Sequence, residues 1–422
     1  MTDYQLATGF FLQLACLVAA CRIVGIVAAK FRQPQVVAEM ITGVLLGPSL
    51  FGLLAPTTHA MLFPKASLTV VYVVAQMGLV LYMFLVGVEF NHELVSGRFK
   101  SAATISAAGI VVPFAMGGVL SLYLRSDGRF FSGTLGPLEG ALYIGAAMSI
   151  TAFPMLARII YERGISGTTL GTMALAAGAS DDAAAWTLLA LVLASFKADV
   201  TIAVWAIAGG IAYAVVVLGF GRPWLAKLGE QVEQHGAMTG KVLGLVLGLL
   251  SVGAWFTDRV GIYSVFGAFI LGAAMPRGLF AKELQRLIEP ITTNFLLPLF
   301  FVYSGLNTRI NLVNTPELIA IAVVVVLIAS VGKGVACTLA AKATGMTWND
   351  SLAVGSLMNA RGLMELIILN VGLERGLITP TLFTIMVVMA IVTTVVAGPI
   401  FELVYRRQDH MSQQIATVGA GS

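Results

Sequence analysis

Long apolar runs, separated by short polar connections, recur along the whole chain. Each run has about 17 residues or more, which at about 1.5 Å of rise per residue is enough for a helix to cross a bilayer. A membrane β-barrel would instead alternate apolar and polar positions over strands of about 10 residues. The pattern predicts an all-α polytopic membrane protein with about 13 transmembrane helices. The predicted spans are 6–29, 35–54, 67–90, 101–124, 139–161, 167–196, 201–220, 237–257, 260–276, 287–306, 316–341, 348–373 and 378–404.

The composition excludes a soluble globular protein. Of the 422 residues, 58% are hydrophobic and only 11% are charged, and the mean hydropathy is +0.92. The first run is long enough to span and is followed by Lys30 and Arg32, so we expect no cleavable signal peptide. The net charge of +4 comes mostly from Lys and Arg in the connections. Membrane topology explains those residues, and no nucleic-acid partner is predicted.

Lys and Arg residues are distributed unequally between the two sides of the membrane. Connections on the side of Lys30 and Arg32 hold about twice as many as the other side, and the positive-inside rule makes that side cytoplasmic. With an odd number of spans, we expect the N-terminus outside and the C-terminus in the cytoplasm. The predicted location is the plasma (inner) membrane, as a multi-pass protein in contact with membrane lipids.

Two spans are interrupted by residues that do not suit a continuous membrane helix. Pro154 removes a backbone donor from the fifth span, and Asn359 and Arg361 interrupt the twelfth. Pro154 alone is consistent with a simple kink. Six spans, one connecting span and six more spans can form two six-helix inverted repeats. In that arrangement the fifth and twelfth spans occupy equivalent positions in the two repeats. We therefore predict two broken helices that cross near the midplane.

Four charged residues lie near the middle of predicted spans. Asp181 and Asp182 lie midway along 167–196, and helix rise puts Lys333 and Arg361 at a similar depth. An Asp at the bilayer centre costs roughly 2.5–3.5 kcal/mol on insertion scales, so such residues usually line an ion or proton path. Adjacent helix residues point about 100° apart, which indicates different roles for the two carboxylates. One can be held by Lys333 while the other exchanges a proton for a cation.

A static role is the alternative for part of this cluster. Arg361 and Glu365 are spaced i, i+4, so they can form a structural salt bridge on one helix face. Glutamates near helix ends are interpreted as interfacial, and several glycines as close-packing residues. These residues are Glu39, Glu89, Glu139, Gly43, Gly47, Gly267 and Gly272.

No cofactor and no structural metal site are predicted. The four histidines lie in connections or the tail and have no metal-ligand companion at i+3 or i+4. The three cysteines lack CxxC spacing and are interpreted as packing residues. They are Cys16, Cys21 and Cys337.

Several motifs resemble those of the monovalent cation:proton antiporter superfamily, which includes sodium/proton exchangers and the transport domains of potassium efflux systems. In chain order they are ITGVLLGPS at 41–49, FLVGVE at 84–89, TAFPMLAR at 151–158, PLFF at 298–301 and MNARGLME at 358–365. The resemblance covers nearly the whole chain. It implies a homodimer in which each protomer has a dimerisation domain and a mobile core that carries the ion.

The resemblance also implies residue roles. Asp182 matches the carrier aspartate and would bind the transported Na⁺ or K⁺, while Asp181 matches the preceding residue, which pairs with Lys333 when no ion is bound. The predicted ion- and proton-binding residues are Asp182, Asp181, Lys333, Thr151 and Ser180, supported on the crossing helices by Pro154, Asn359, Arg361 and Glu365. The implied domains are dimerisation segments 1–95 and 223–310, core segments 96–198 and 311–407, a linker helix 199–222 and a polar tail 408–422.

These features predict secondary antiport of a monovalent cation and H⁺ by alternating access, and no enzymatic activity. The sequence does not choose between Na⁺ and K⁺. One alternative is a channel or sensor of the same fold without coupled exchange. Another is a membrane-embedded Mg-dependent prenyltransferase, which needs carboxylates repeated at helical spacing. No acidic residue follows Asp182 until Asp199, so that enzyme class is disfavoured.

Overall fold

The computed structural model describes residues 3–31, 33, 35–89, 99–132, 135–165, 168–197 and 200–419. Within these residues the regular structure is helical, apart from one isolated bridge between Phe131 and Ile378. Nine helical stretches of the described chain are long and apolar enough to cross a membrane. The predicted all-α polytopic class is confirmed, while the exact number of spans stays a prediction.

The described residues form nineteen α-helices, more than the thirteen predicted spans, because several spans are built from shorter pieces. π-helical turns at Val216–Gly221 and Thr292–Leu296 join α10 to α11 and α14 to α15, and a 3₁₀ turn at Ile310–Leu312 precedes α16. In chain order the helices are α1 (Asp3–Lys30), α2 (Gln35–Leu46), α3 (Phe51–Leu54), α4 (Pro56–Leu62), α5 (Lys65–Glu89), α6 (Phe99–Asp127), α7 (Pro137–Ser149), α8 (Phe153–Glu162), α9 (Thr169–Lys197), α10 (Val200–Val215), α11 (Arg222–His235), α12 (Gly240–Val260), α13 (Ser264–Ala274), α14 (Leu279–Ile291), α15 (Leu297–Leu306), α16 (Pro316–Ala343), α17 (Trp348–Met358), α18 (Leu363–Glu374) and α19 (Pro380–Gly419).

Glycines of the first compact unit lie where its helices approach each other closely. A Cβ atom on Gly272 of α13 would lie 2.1 Å from the Phe84 carbonyl oxygen of α5, and one on Gly267 would lie 2.4 Å from Thr257 Oγ1. Both positions exclude a side chain, so the prediction of close packing at these two glycines is confirmed. The unit comprises Met1–Ile23, Leu45–His92 and Trp186–Asn307.

The second compact unit holds the mid-span charges. Its helix α6 packs along α7 and α16. The approach of α6 to α7 also depends on glycine, because a Cβ atom on Gly145 would lie 2.8 Å from the Phe114 carbonyl oxygen. The unit comprises Val24–Val44, Glu93–Ala185 and Thr308–Ser422. The assignment of dimerisation and core roles to parts of the chain stays a prediction.

Helix starts in the second unit carry local sequence signals. The Thr315 hydroxyl accepts from the Leu318 N–H at the start of α16. At the start of α7, the Glu139 carboxylate accepts from the Gly136 N–H over 2.6 Å. Such caps satisfy backbone donors that have no partner within the helix. Glu139 therefore lies at a helix end, as its position in the sequence predicts.

Three details differ from the sequence predictions. Glu39 was expected at the membrane–water interface, and that prediction is wrong. The residue is only 1% exposed, because most residues of α2 are buried within the protein. The break expected near Asp258 lies at 261–263, since Gly261, with φ of 96°, ends α12 in the left-handed conformation that favours glycine. The backbone of α19 continues as a helix to Gly419, through most of the predicted polar tail.

Candidate functional site

Two helix breaks meet in the second unit. The first separates α7 from α8 at residues 150–152, and the second separates α17 from α18 at residues 359–362. The Ala152 N–H of the first break donates to the Ala360 carbonyl oxygen of the second over 3.3 Å. The two interruptions predicted from the sequence are therefore real helix breaks, and they lie in contact.

A threonine of α19 holds the second break in place. The Arg361 N–H donates to Thr394 Oγ1 over 3.0 Å, and the same hydroxyl lies 2.7 Å from the Arg361 carbonyl oxygen. A hydroxyl can both accept and donate. Thr394 thus replaces hydrogen bonds that the interrupted helix cannot make, as extended backbone within an apolar protein requires.

Asp181 of α9 lies among donors from three other segments. Its carboxylate accepts from the Ser106 hydroxyl at 2.6 Å, from Lys333 Nζ at 3.0 Å and from the Thr151 hydroxyl. The residue is only 1% exposed. A carboxylate buried to this extent is stable only with such charge and hydrogen-bond partners.

Lys333 of α16 has no exposed side-chain surface. Its ammonium group donates to Asp181 Oδ2 and to the carbonyl oxygens of Gly109, at 3.0 Å, and Ser149. A lysine ammonium has three donors. All of them are used, by one carboxylate oxygen and two backbone carbonyls.

Arg361 lies in the second break and is also fully buried. It donates to the carbonyl oxygens of Ala147 at 3.3 Å and Ala329 at 3.4 Å. Its Nη1 lies 3.8 Å from Glu365 Oε2, which is an ion-pair distance but too long for a hydrogen bond. Arg361 and Lys333 together bind carbonyls at the C-terminal end of α7, the negative end of that helix dipole.

The remaining predicted site residues lie on α9, on α8 and at the end of α17. The Ser180 hydroxyl donates to the Ala176 carbonyl within its own helix. Asn359 is buried where α17 ends. Asp182 and Pro154 belong to helices α9 and α8, and their side chains lie outside the described part of the structure.

The four buried charges of this region balance one another. Asp181, Lys333, Arg361 and Glu365 are all buried, and their formal charges sum to zero. In the part of the chain that the structure describes, no three His, Cys, Asp or Glu residues form a metal-binding cluster. Carboxylate, hydroxyl and carbonyl oxygens are the ligands that hard cations prefer.

Sequence reasoning missed Ser106, Gly109 and Thr394. A serine or threonine in an apolar span has no pattern that marks it as a ligand rather than a packing residue. Gly109 did carry a signal, because Pro113 follows it by one helical turn inside α6. Proline has no N–H, so the carbonyl four residues earlier has no helical donor.

Comparison with known sequences identifies relatives along nearly the whole chain. A family model described as "Sodium/hydrogen exchanger, transmembrane" matches residues 16–407. The Na⁺/H⁺ antiporter NhaS4 of Synechocystis sp. is 39% identical over 397 residues, which cover 93% of this chain and 96% of that protein. Cation/H⁺ antiporter 17 of Arabidopsis thaliana is 34% identical over 398 residues, 94% of this chain but 48% of the relative. The chain therefore spans about half the length of this plant relative.

A solved structure supports the fold. The sodium proton antiporter MjNhaP1 from Methanocaldococcus jannaschii matches with a TM-score of 0.68 over 95% of this chain and 99% of that one. The sequence identity is 16%, so this likeness concerns the fold alone.

Proposed function

The chain belongs to the sodium/hydrogen exchanger family, a family of transporters, and we propose that it is a secondary active antiporter exchanging Na⁺ or K⁺ for H⁺. The observation that carries the proposal is the buried ion pair of Asp181 and Lys333, next to two broken helices in contact. A charge pair inside an apolar protein is costly and usually marks an ion or proton path. The named relatives are antiporters, which leaves the prenyltransferase alternative without support.

We assign the shared cation and proton site to the carboxylate of Asp182, the residue after Asp181 on α9. Because Asp182 follows Asp181 on α9, a bound cation adds positive charge to the same compact unit that holds Lys333 and Arg361. Interactions between charges are strong in a medium of low dielectric constant, so a proton and a cation exclude each other at such a site. The Asp181 carboxylate stays in position through its hydrogen bonds from the Ser106 and Thr151 hydroxyls. The charge that responds to the cation is the Lys333 ammonium group, which is paired with Asp181.

Alternating access is part of the proposal. The second compact unit contains Asp181, Lys333 and both breaks, and we assign it to the mobile core. We assign the first unit to dimerisation in a homodimer. The distribution of Lys and Arg supports a plasma-membrane protein with the N-terminus outside and the C-terminus in the cytoplasm.

The test uses purified protein in liposomes with an imposed pH gradient. Addition of Na⁺ or K⁺ is expected to dissipate the gradient, as reported by a pH-sensitive dye, and Asp182→Asn is expected to abolish the response. The matched control is Asp258→Asn, which makes the same change at an exposed residue of α12 and is expected to exchange normally. Full exchange by Asp182→Asn would refute the assignment of the site.

A further inference from the structure

An apolar groove with a volume of about 650 Å³ runs between α6 and α16 of the second compact unit. Leu120 and Ile321, which are only 5% and 6% exposed, form its floor. The exposed side chains of Val119 and Val324 form its rims. Both walls are long apolar helices of one unit, so the groove does not depend on how the two units are arranged. Its volume lies within the range of cavities that bind small molecules.

The groove has the length of one membrane leaflet. Its lining on α16 extends from Glu317 to Ile328, which is about 16 Å at about 1.5 Å of rise per residue. The hydrocarbon core of a bilayer is about 30 Å thick, so one leaflet contributes about half of that. The groove ends where α6 and α16 meet, because a Cβ atom on Gly332 would lie only 2.9 Å from Met116 Sδ. A lipid acyl chain therefore fits the groove along its length, whereas a membrane-spanning helix would extend beyond it.

The end of the groove away from Gly332 is polar. Glu317, in the first turn of α16, lines this end and pairs with Arg129 over 2.7 Å. Arg129 also pairs with Asp127, the last residue of α6. Tyr123 lines the same end, and tyrosine is typical of the membrane–water interface. The groove thus opens at the level of the lipid headgroups, beside two carboxylates and one guanidinium.

These three charges favour one class of headgroup. The side chains of Arg129 and Glu317 are 41% and 64% exposed, so a headgroup can reach both. A phosphate can accept from Arg129, and a primary ammonium can donate to Glu317 or Asp127. A quaternary ammonium has no N–H to donate, and a headgroup that adds only negative charge is repelled by the excess carboxylate.

We infer that this groove binds a phospholipid with a primary-ammonium headgroup, of the phosphatidylethanolamine class. One acyl chain lies between α6 and α16, and the headgroup lies against Arg129 and Glu317. The inference is separate from the proposed exchange at Asp182, because it concerns a lipid-facing surface. Its test measures lipid binding and does not require transport.

The test measures lipid binding to purified protein in detergent by native mass spectrometry. Phosphatidylethanolamine, phosphatidylcholine and phosphatidylglycerol with identical acyl chains are added in increasing amounts, and the thermal unfolding midpoint is followed in parallel. Val324→Trp fills the groove, and its matched control is Val323→Trp at the neighbouring exposed position outside the lining. Glu317→Gln removes a headgroup contact, and its control is Glu374→Gln at an exposed glutamate of α18.

The unaltered protein is expected to bind phosphatidylethanolamine at about tenfold lower concentration than phosphatidylcholine, because hydrogen bonds to charged groups distinguish the two headgroups. Phosphatidylglycerol is expected to bind most weakly. Glu317→Gln should lose the preference for phosphatidylethanolamine over phosphatidylcholine. Val324→Trp should weaken the binding of all three lipids, since it fills the space for the acyl chain. Val323→Trp and Glu374→Gln should bind like the unaltered protein.

Equal binding of the three lipids by the unaltered protein would overturn the inference and indicate unselective lipid contact. Full preference in Glu317→Gln, or equal binding by Val324→Trp and Val323→Trp, would also overturn it. Dissociation of a dimer in Val324→Trp with unchanged lipid preference would assign the groove to a second copy of the chain instead.

Val324→Phe provides a second filled groove if the tryptophan variant folds poorly. The lipid series on the unaltered protein and on Glu317→Gln decides the inference if neither filled variant folds. Loss of exchange in Asp182→Asn bears on the proposed function alone, so the two proposals fail separately.

Discussion

Asp181 and Lys333 form an ion pair of 3.0 Å in which neither side chain has any exposed surface. Removing one partner of a buried pair leaves an uncompensated charge, so we expect Lys333→Met to lower the free energy of unfolding by about 3–5 kcal/mol. Denaturation in detergent measures the loss. The double variant Asp181→Asn/Lys333→Met is expected to lose less than the sum of the two single variants. Additive losses would show that the pair does not act as a unit.

Ser106 is expected to stabilise the Asp181 carboxylate from α6. Its hydroxyl donates to Oδ1 over 2.6 Å, and hydrogen bonds to charged groups contribute about 1.5–3 kcal/mol. Ser106→Ala should lower the unfolding free energy by that amount. Ser126→Ala, an exposed position of the same helix whose hydroxyl bonds the Tyr123 carbonyl, is the control. Equal stability of the two variants would show that Ser106 does not stabilise the Asp181 carboxylate.

Thr394 and Thr393 offer a matched comparison of two buried threonines on α19. Thr394 bonds the N–H and the carbonyl of Arg361 in the second break, whereas the Thr393 hydroxyl bonds only carbonyls of its own helix among the described contacts. We expect Thr394→Val to cost about 1–3 kcal/mol, since it leaves buried backbone groups without a partner. Thr393→Val should cost clearly less. The reverse order, measured by thermal unfolding, would contradict the role given to Thr394.

Two glycines are expected to respond to alanine with opposite signs. A Cβ atom on Gly372 of α18 would lie 2.0 Å from the Tyr143 hydroxyl oxygen, so Gly372→Ala should destabilise by about 1–3 kcal/mol through overpacking. Tyr143→Phe, which removes that oxygen, should relieve part of the loss. Gly248 of α12 has no neighbouring atom within 4 Å of an added Cβ, and Gly248→Ala should stabilise by about 0.4–1 kcal/mol. Destabilisation of both alanine variants to a similar extent would contradict this packing.

Much of the fold was predictable because length and hydropathy determine membrane helices. The two breaks were predictable as well, since Pro154 and the polar pair Asn359 and Arg361 interrupt apolar runs. The span boundary near Asp258 was misplaced, because a charge at the end of a membrane helix resembles a connection. Glu39 was wrongly placed at the interface, because burial of α2 depends on packing that no local pattern reports.

The candidate site was less accessible to sequence reasoning. Helical rise puts Asp181 and Lys333 at one depth but gives no information on which side chains face each other. Ser106 lies in an ordinary apolar span, so its contact with Asp181 depends on how α6 packs. The spacing of Gly109 and Pro113 did indicate a free carbonyl in α6 before the fold was known.

The central claim is that cation movement and proton movement are coupled in one carrier. The most direct measurement follows both in the same proteoliposomes, with a radioactive cation for uptake and a trapped pH dye for proton efflux. Coupled antiport predicts that uptake saturates with cation concentration, that protons leave in fixed proportion, and that an outward proton gradient drives the cation against its own gradient. Cation uptake that is not saturable and proceeds without proton movement would contradict the account and indicate a channel.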